Sequence, residues 1–269
     1  MTEPRRFQVE NLKIEVHPSR KAAGEAAARA AAESLRQLAK QRAIVGVIFA
    51  TGASQLETLH ALTAIPDFPW DHVAGFHMDE YVGLPADHPA SFRRYLRENL
   101  TARARLAEFN EIDGTVPDPE SMCREYAAAL RSRGPQLCLL GIGENGHLAF
   151  NDPAEADFSD PVDMKIVTLD AMCRRQQVAE GWFSSVDEVP PRAMTLTIPT
   201  LLRVPKLIAS VPGSRKARIV KRTLEEPIST ACPATIFRTH PDVTVYLDPE
   251  SAAELNDALF ASGSKTPRA

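Results

Sequence analysis

No apolar run in this chain approaches the roughly 20 residues needed to cross a bilayer as a helix, so no membrane association is expected. The first residues, Met1-Thr2-Glu3-Pro4-Arg5-Arg6-Phe7, lack the apolar core of a secretory leader. Cysteine is scarce and scattered: Cys123, Cys138, Cys173 and Cys232 form no Cys-x-x-Cys pair. Neither a zinc site nor a dithiol redox motif is indicated, and reduced thiols in a cytoplasmic protein are expected. Positive charge is not in excess. The formal net charge is −4, which leaves no footprint for nucleic acid. The cluster Arg215-Lys216-Ala217-Arg218 reads as a helix start or an anion site. No second histidine stands at ligand spacing to support a metal, and the Gly-Lys-Ser/Thr ending of a P-loop is missing. Neither an internal repeat nor an interdomain linker is evident, so residues 1–269 read as one domain.

What is present is an ordinary soluble balance, 44% hydrophobic and 25% charged, in a chain long enough to bury about three quarters of its unfolded surface. Helices are predicted over about Arg20–Arg42, Leu56–Leu62, Ser91–Arg105, Pro119–Arg133 and Lys216–Glu225. Strands are predicted at Ile44–Ala50, His72–Met78, Leu137–Leu140, Ala193–Ile198, Lys206–Val211 and Val243–Leu247, with a long Pro/Asp-rich loop up to Asp163 and a frayed tail over 261–269. Alternating strands and helices imply a three-layer αβα, Rossmann-like α/β fold around a mostly parallel sheet.

In such sheets ligands bind at the carboxyl ends of the strands, and four predicted strand ends carry chemistry. Gly141-Ile142-Gly143-Glu144-Asn145-Gly146-His147 delivers a histidine on a glycine-rich turn, close to Asp152. Asp152 accepting from one ring nitrogen would fix the tautomer and raise the basicity of the other; a satisfied core histidine is the plainer alternative. Gly141, Gly143 and Gly146 match G-x-G-x-x-G, but a loop follows them where a dinucleotide site needs a helix. Thr51-Gly52-Ala53-Ser54 precedes a helix and is either an anion site or a tight turn capped by Ser54. Gly213-Ser214-Arg215-Lys216 is either a phosphate-binding start or a solvated one. Asp79-Glu80 closes an apolar strand. Two adjacent acids there are costly unless one is used or paired, and a desolvated Asp79 would make a better base than one that caps a turn.

Taken together, Ala50 to Ser54, Met78-Asp79-Glu80-Tyr81-Val82-Gly83-Leu84, His88-Pro89-Ala90-Ser91, Gly141 to Pro153 and Ser214-Arg215-Lys216-Ala217 resemble the glucosamine-6-phosphate deaminases. These lie within a wider group that includes 6-phosphogluconolactonase. The resemblance covers about residues 8 to 255. It implies a cofactor-free and metal-free aldose–ketose isomerisation with loss of ammonia, from glucosamine 6-phosphate to fructose 6-phosphate. It also implies roles. Asp79 moves the C2 proton, and His147 opens the ring with Asn145 and Asp152 behind it. Thr51, Gly52, Ala53, Ser54 and Lys216 hold the phosphate, and Gly143 lines the sugar. Three departures stand out. Asn145 and Asp152 replace the family's Asp and Glu, and Gly181 precedes Trp182-Phe183 where the family has a phosphate-binding Arg, a role Arg174 or Arg175 could take, Arg174 by preference. Because the allosteric-site residues of some members do not appear after Pro153, no activation by N-acetylglucosamine 6-phosphate is expected. The alternatives are a lactonase, disfavoured by Tyr81 where those enzymes carry Arg, a non-catalytic sugar-phosphate sensor, or an enzyme for another amino or keto sugar phosphate. The oligomeric state stays open, a homo-oligomer included.

Overall fold

The computed structural model describes residues 3–256 and Leu259; the predicted frayed tail lies outside them. Its centre is an eight-stranded sheet. Strands β1 (Arg5–Val9) and β2 (Leu12–Val16) form an antiparallel hairpin at one edge. The other members are β3 (Val45–Phe49), β4 (Val73–His77), β6 (Glu108–Asn110), β7 (Leu137–Leu140), β10 (Lys206–Ser210) and β11 (Val243–Leu247). The order is β1-β2-β11-β10-β7-β3-β4-β6, and every pairing from β2 onward is parallel. The chain winds outward from β3 to β6, then returns to the other side of β3 at β7. The crevice between the carboxyl ends of β3 and β7 is therefore a topological switch point.

Side chains alternate across this sheet, and each face has its own helices. Val45, Val47, Phe49, Leu137, Leu139 and Ile208 face a core built with α1 (Arg20–Ala39) and α2 (Leu56–Thr63). Ile48, Cys138, Leu140, Leu207 and Ala209 face the opposite core, where α4 (Pro119–Arg133) and α7 (Ala217–Glu225) pack. Both faces being covered explains why these strands read as continuous apolar runs. Local signals set the helix ends: Ser19 caps α1 through the Ala22 N–H at 3.1 Å, and Asp118 caps α4 through Ser121 at 3.0 Å with Pro119 in the first turn.

A second, antiparallel sheet stands beyond the carboxyl ends, ordered β5 (Asp79–Tyr81), β9 (Arg192–Leu196), β8 (Met164–Thr168). The predicted strand at Ala193–Ile198 thus exists but belongs here, not to the parallel sheet. The predicted helix over Ser91–Arg105 is shorter: Ser91 caps α3 (Phe92–Leu96), and Arg97–Thr101 winds as a π-helix. Residues 164–179 hold β8 and then α5 (Ala171–Ala179), and Ile198–Leu202 forms the short α6. Strands β1, β2, β5, β6 and β8 and helices α5 and α6 were not anticipated from the sequence.

Among the described residues, no helix is long and apolar enough to cross a membrane.

Candidate active site

A pocket of about 590 Å³ opens at the switch point. Thr51, Gly52, Ala53 and Ser54 line it after β3, Asp79 after β4, Gly143 and His147 after β7, and Lys216 after β10. All four strand ends singled out in the sequence converge there. Asn145 and Asp152 are buried behind His147 and do not line the pocket. Arg174 does not line it either: its guanidinium donates to the Val186 carbonyl. Helix α5 instead contributes Gln176 and Gln177, and Glu180 follows from its C-terminal cap.

The two acids at 79–80 have separate fates. Glu80 is fully buried and tied down. It accepts from the backbone N–H groups of Tyr81, Phe92 and Arg93 and from the Ser91 hydroxyl, at 2.9–3.2 Å. It thereby clamps β5 to the start of α3. Asp79 faces the pocket, and among the described residues its carboxylate takes no hydrogen bond. Burial, reinforced by the Glu80 charge, drives the Asp79 carboxyl well above the ordinary 3.8. With no backbone N–H donating to that carboxylate among the described residues, Asp79 does not act as a turn cap.

His147 is set by its own loop and by β9. The Gly143 N–H donates to the His147 carbonyl at 3.0 Å, and a Cβ built on Gly143 would lie 2.2 Å from the imidazole. Only glycine fits there. The loop docks on β9 through Phe150 N–H to Thr195 Oγ1 at 3.0 Å and through Asn151, whose carboxamide donates to the Leu148 and Leu196 carbonyls, each at 2.8 Å. Thr195 also pairs in register with Asp79. One strand thus holds both reactive groups, a connection the sequence motifs did not disclose.

Behind His147, its Nδ1 lies 3.0 Å from Asp152 Oδ1, though no partner meets hydrogen-bond alignment at Nδ1. The contact is a close approach in unliganded geometry, of the kind that tightens when substrate binds. Burial pushes the Asp152 carboxyl up. His147, the Asn145 carboxamide and the Asp170 N–H outweigh that and hold it below its ordinary value. Asn145 is fully engaged: Oδ1 accepts from the His147 N–H at 3.0 Å, and Nδ2 reaches Asp152 at 2.9 Å and Asp170 at 3.0 Å. Among the described residues, His147, Asp152 and Cys173 have donor atoms within 4.8 Å of one another. Burial, then the Asp152 charge, raises the Cys173 thiol well above its usual range.

One end of the pocket is built from backbone and one cation. Gly52 has φ of 94°, a conformation open to glycine, and no side chain caps the 3₁₀ turn Ala53–Gln55 that follows. Ser54 accepts from the Gln55 carboxamide at 2.9 Å and caps nothing. The same Gln55 group reaches the Leu140 and Ser210 carbonyls, lashing the ends of β3, β7 and β10 together. Arg20 donates to the Ala53 carbonyl and pairs with Glu57 at 2.7 Å, which puts a guanidinium behind the loop. Lys216 is only 7% exposed, so it is no solvated helix start. Burial lowers its pKa, against the raising effect of Glu180 and Glu144. Glu180 stands 3.8 Å from a Cβ built on Gly52, held by Gln176 at 2.8 Å and Trp182 at 3.2 Å. An acid therefore borders the Gly52 turn. Gln55, Gln176, Gln177, Glu180 and Thr195 escaped the sequence reading, since nothing in their local context marks them before the fold is known.

Residues 18–246 match a family model described as glucosamine-6-phosphate isomerases/6-phosphogluconolactonase. Curated relatives include a glucosamine-6-phosphate deaminase of Exiguobacterium sibiricum, 35% identical over 192 residues, 71% of this chain and 74% of that one. Another, of Listeria innocua, is 34% identical over 206 residues, 77% and 86% of the two chains. Among solved structures, a monomeric glucosamine-6-phosphate deaminase matches with TM-score 0.83 at 29% identity, covering 90% of this chain and 99% of that one. A 6-phosphogluconolactonase from Trypanosoma brucei shares the fold, with TM-score 0.75 at 19% identity over 93% and 100%.

Proposed function

Since this chain belongs to the glucosamine-6-phosphate isomerase/6-phosphogluconolactonase family, we propose that it converts glucosamine 6-phosphate and water to fructose 6-phosphate and ammonia. One observation carries the reading: an unpaired, desolvated Asp79 and a carboxylate-backed His147 share a pocket with an anion loop and a buried lysine. The phosphate would sit on the N–H groups of Thr51 to Ser54 and on Lys216, with Gly143 against the sugar. Binding that remote group spends its energy on orienting C2 toward Asp79. His147 takes the O1 proton at the ring edge opposite Nδ1 and delivers it to the ring oxygen, which opens the pyranose. Asp79 then removes the C2 proton as the substrate's own C2 ammonium protonates O1, giving a neutral enolamine, and returns the proton to C1 to give a protonated ketimine. Water adds at C2 and ammonia departs. These steps need proton transfer alone, so the proposal includes no cofactor and no metal, and its net reaction consumes one water.

The test is to follow ammonia and fructose 6-phosphate formed from glucosamine 6-phosphate. Asp79→Asn should lower kcat by about 10²- to 10⁴-fold, the usual worth of a positioned general base. Absence of ammonia from wild type, or hydrolysis of 6-phosphogluconolactone in its place, would overturn the proposal.

A further inference from the structure

A buried carboxamide with both of its N–H bonds aimed at carboxylates is an unusual object. Asn145 Nδ2 is 2.9 Å from Asp152 and 3.0 Å from Asp170, and its Oδ1 is occupied by the His147 N–H. The amide cannot be reversed without turning its oxygen toward two acids. Asp170 closes the arrangement twice. Its backbone N–H donates to Asp152 Oδ2 at 3.1 Å, and its other carboxylate oxygen caps α5 through the Cys173 N–H at 2.6 Å. Asp152 is thereby gripped from both sides, and the helix that presents Gln176 and Gln177 to the pocket starts from the same residue.

We propose that Asp170 is a positioning residue of the His147 relay: through Asn145 it locks Asp152 against the imidazole, and it supplies the second negative charge behind that ring. The proposal rests on the reading of His147 as a proton carrier. Groups facing the imidazole are Asp152 from its own loop, Cys173 from α5, and Asp79 and Lys216 across the pocket; Asp170 acts one residue removed, through Asn145. A carboxyl group in place of this amide would have to be protonated before it could donate to either acid, whereas Asn145 bridges the two without that cost. Asn145 and Asp170 therefore form a matched pair, one amide and one charge.

The test removes the charge and keeps the cap. Asp170→Asn keeps a side chain able to cap α5 but removes the charge. It should lower kcat by roughly 10- to 100-fold, the worth of a hydrogen bond to an ion, with KM little changed. It should also move the His147 imidazole titration, read by NMR, to lower pH. Asn145→Asp sets a carboxylate against both Asp152 and Asp170 and should also lower kcat. An unchanged kcat, or an unmoved His147 titration, in folded Asp170→Asn would overturn the proposal. Because the titration needs no turnover, it decides the matter even if glucosamine 6-phosphate proves not to be the substrate.

Discussion

Gly143 and His147 occupy nearly the same space, and the absence of one methyl group permits it. Gly143→Ala would place a Cβ 2.2 Å from the imidazole, so the ring must turn out of its contact with Asp152. Overpacking of this kind costs about 1–3 kcal/mol. The expected result is a lower melting temperature together with a loss of activity larger than the stability loss explains, measured by calorimetry and by ammonia release. Asp79 makes the opposite trade. Its folded-state pKa lies above its unfolded value, so the folded chain holds a proton that the unfolded chain has already lost. Its contribution to stability therefore falls as pH rises above about 3.8. Asp79→Asn, which mimics the protonated form, should be more stable than wild type, and the gap should widen from pH 4 to pH 8 in urea titrations. A gap that stayed flat or narrowed would contradict the burial argument.

Elements were readable from the sequence where a local signal matched the final environment. The apolar run Leu137–Leu140 and the capped stretch Pro119–Arg133 have the same bounds in the fold as in the prediction. Alternation at Ala193 to Ile198 announced a strand, which ends at Leu196, but could not say which sheet it joins, because partner choice is a long-range fact. The β1–β2 hairpin carries charge on its outer positions, and β8 and α5 sit in a polar stretch whose helix is marked only by the Asp170 cap. Within the site, the residues on strand-end motifs were legible. Glu180 and the Gln55 lashing were not, since they matter only once separate segments meet. Arg174 lies outside the pocket lining for a related reason: its guanidinium is taken up by the Val186 carbonyl, a contact made only once the chain has folded. The docking of the histidine loop on β9 gives an element-level prediction. Asn151→Ala removes the shorter donor from two buried carbonyls, leaving Leu148 the residue-151 N–H at 3.1 Å and Leu196 the Thr195 hydroxyl at 3.2 Å, at about 0.5–1.5 kcal/mol per lost bond. Because it also frees His147 from the strand that carries Asp79, kcat should fall while KM changes little.

At the scale of the whole molecule, two apolar cores share one sheet, and a third cluster around Tyr81, Phe92, Phe150 and Phe183 joins the small sheet to them. Tyr81 lies within 5.1–5.6 Å of all three of those rings, centroid to centroid. We therefore expect one cooperative unfolding transition, with calorimetric and van't Hoff enthalpies in agreement. Two resolved transitions would mean that the small sheet and its helices fold as a unit of their own. Inorganic phosphate should raise the midpoint in proportion to occupancy of the anion loop.

The acid and the imidazole stand on a strand and a loop braced from behind, while the wall formed by Gln176, Gln177 and Glu180 belongs to a helix that lies outside the large sheet. Because that helix starts at Asp170, which also grips Asn145 and Asp152, any change of the wall that moves the helix is felt behind the imidazole as well.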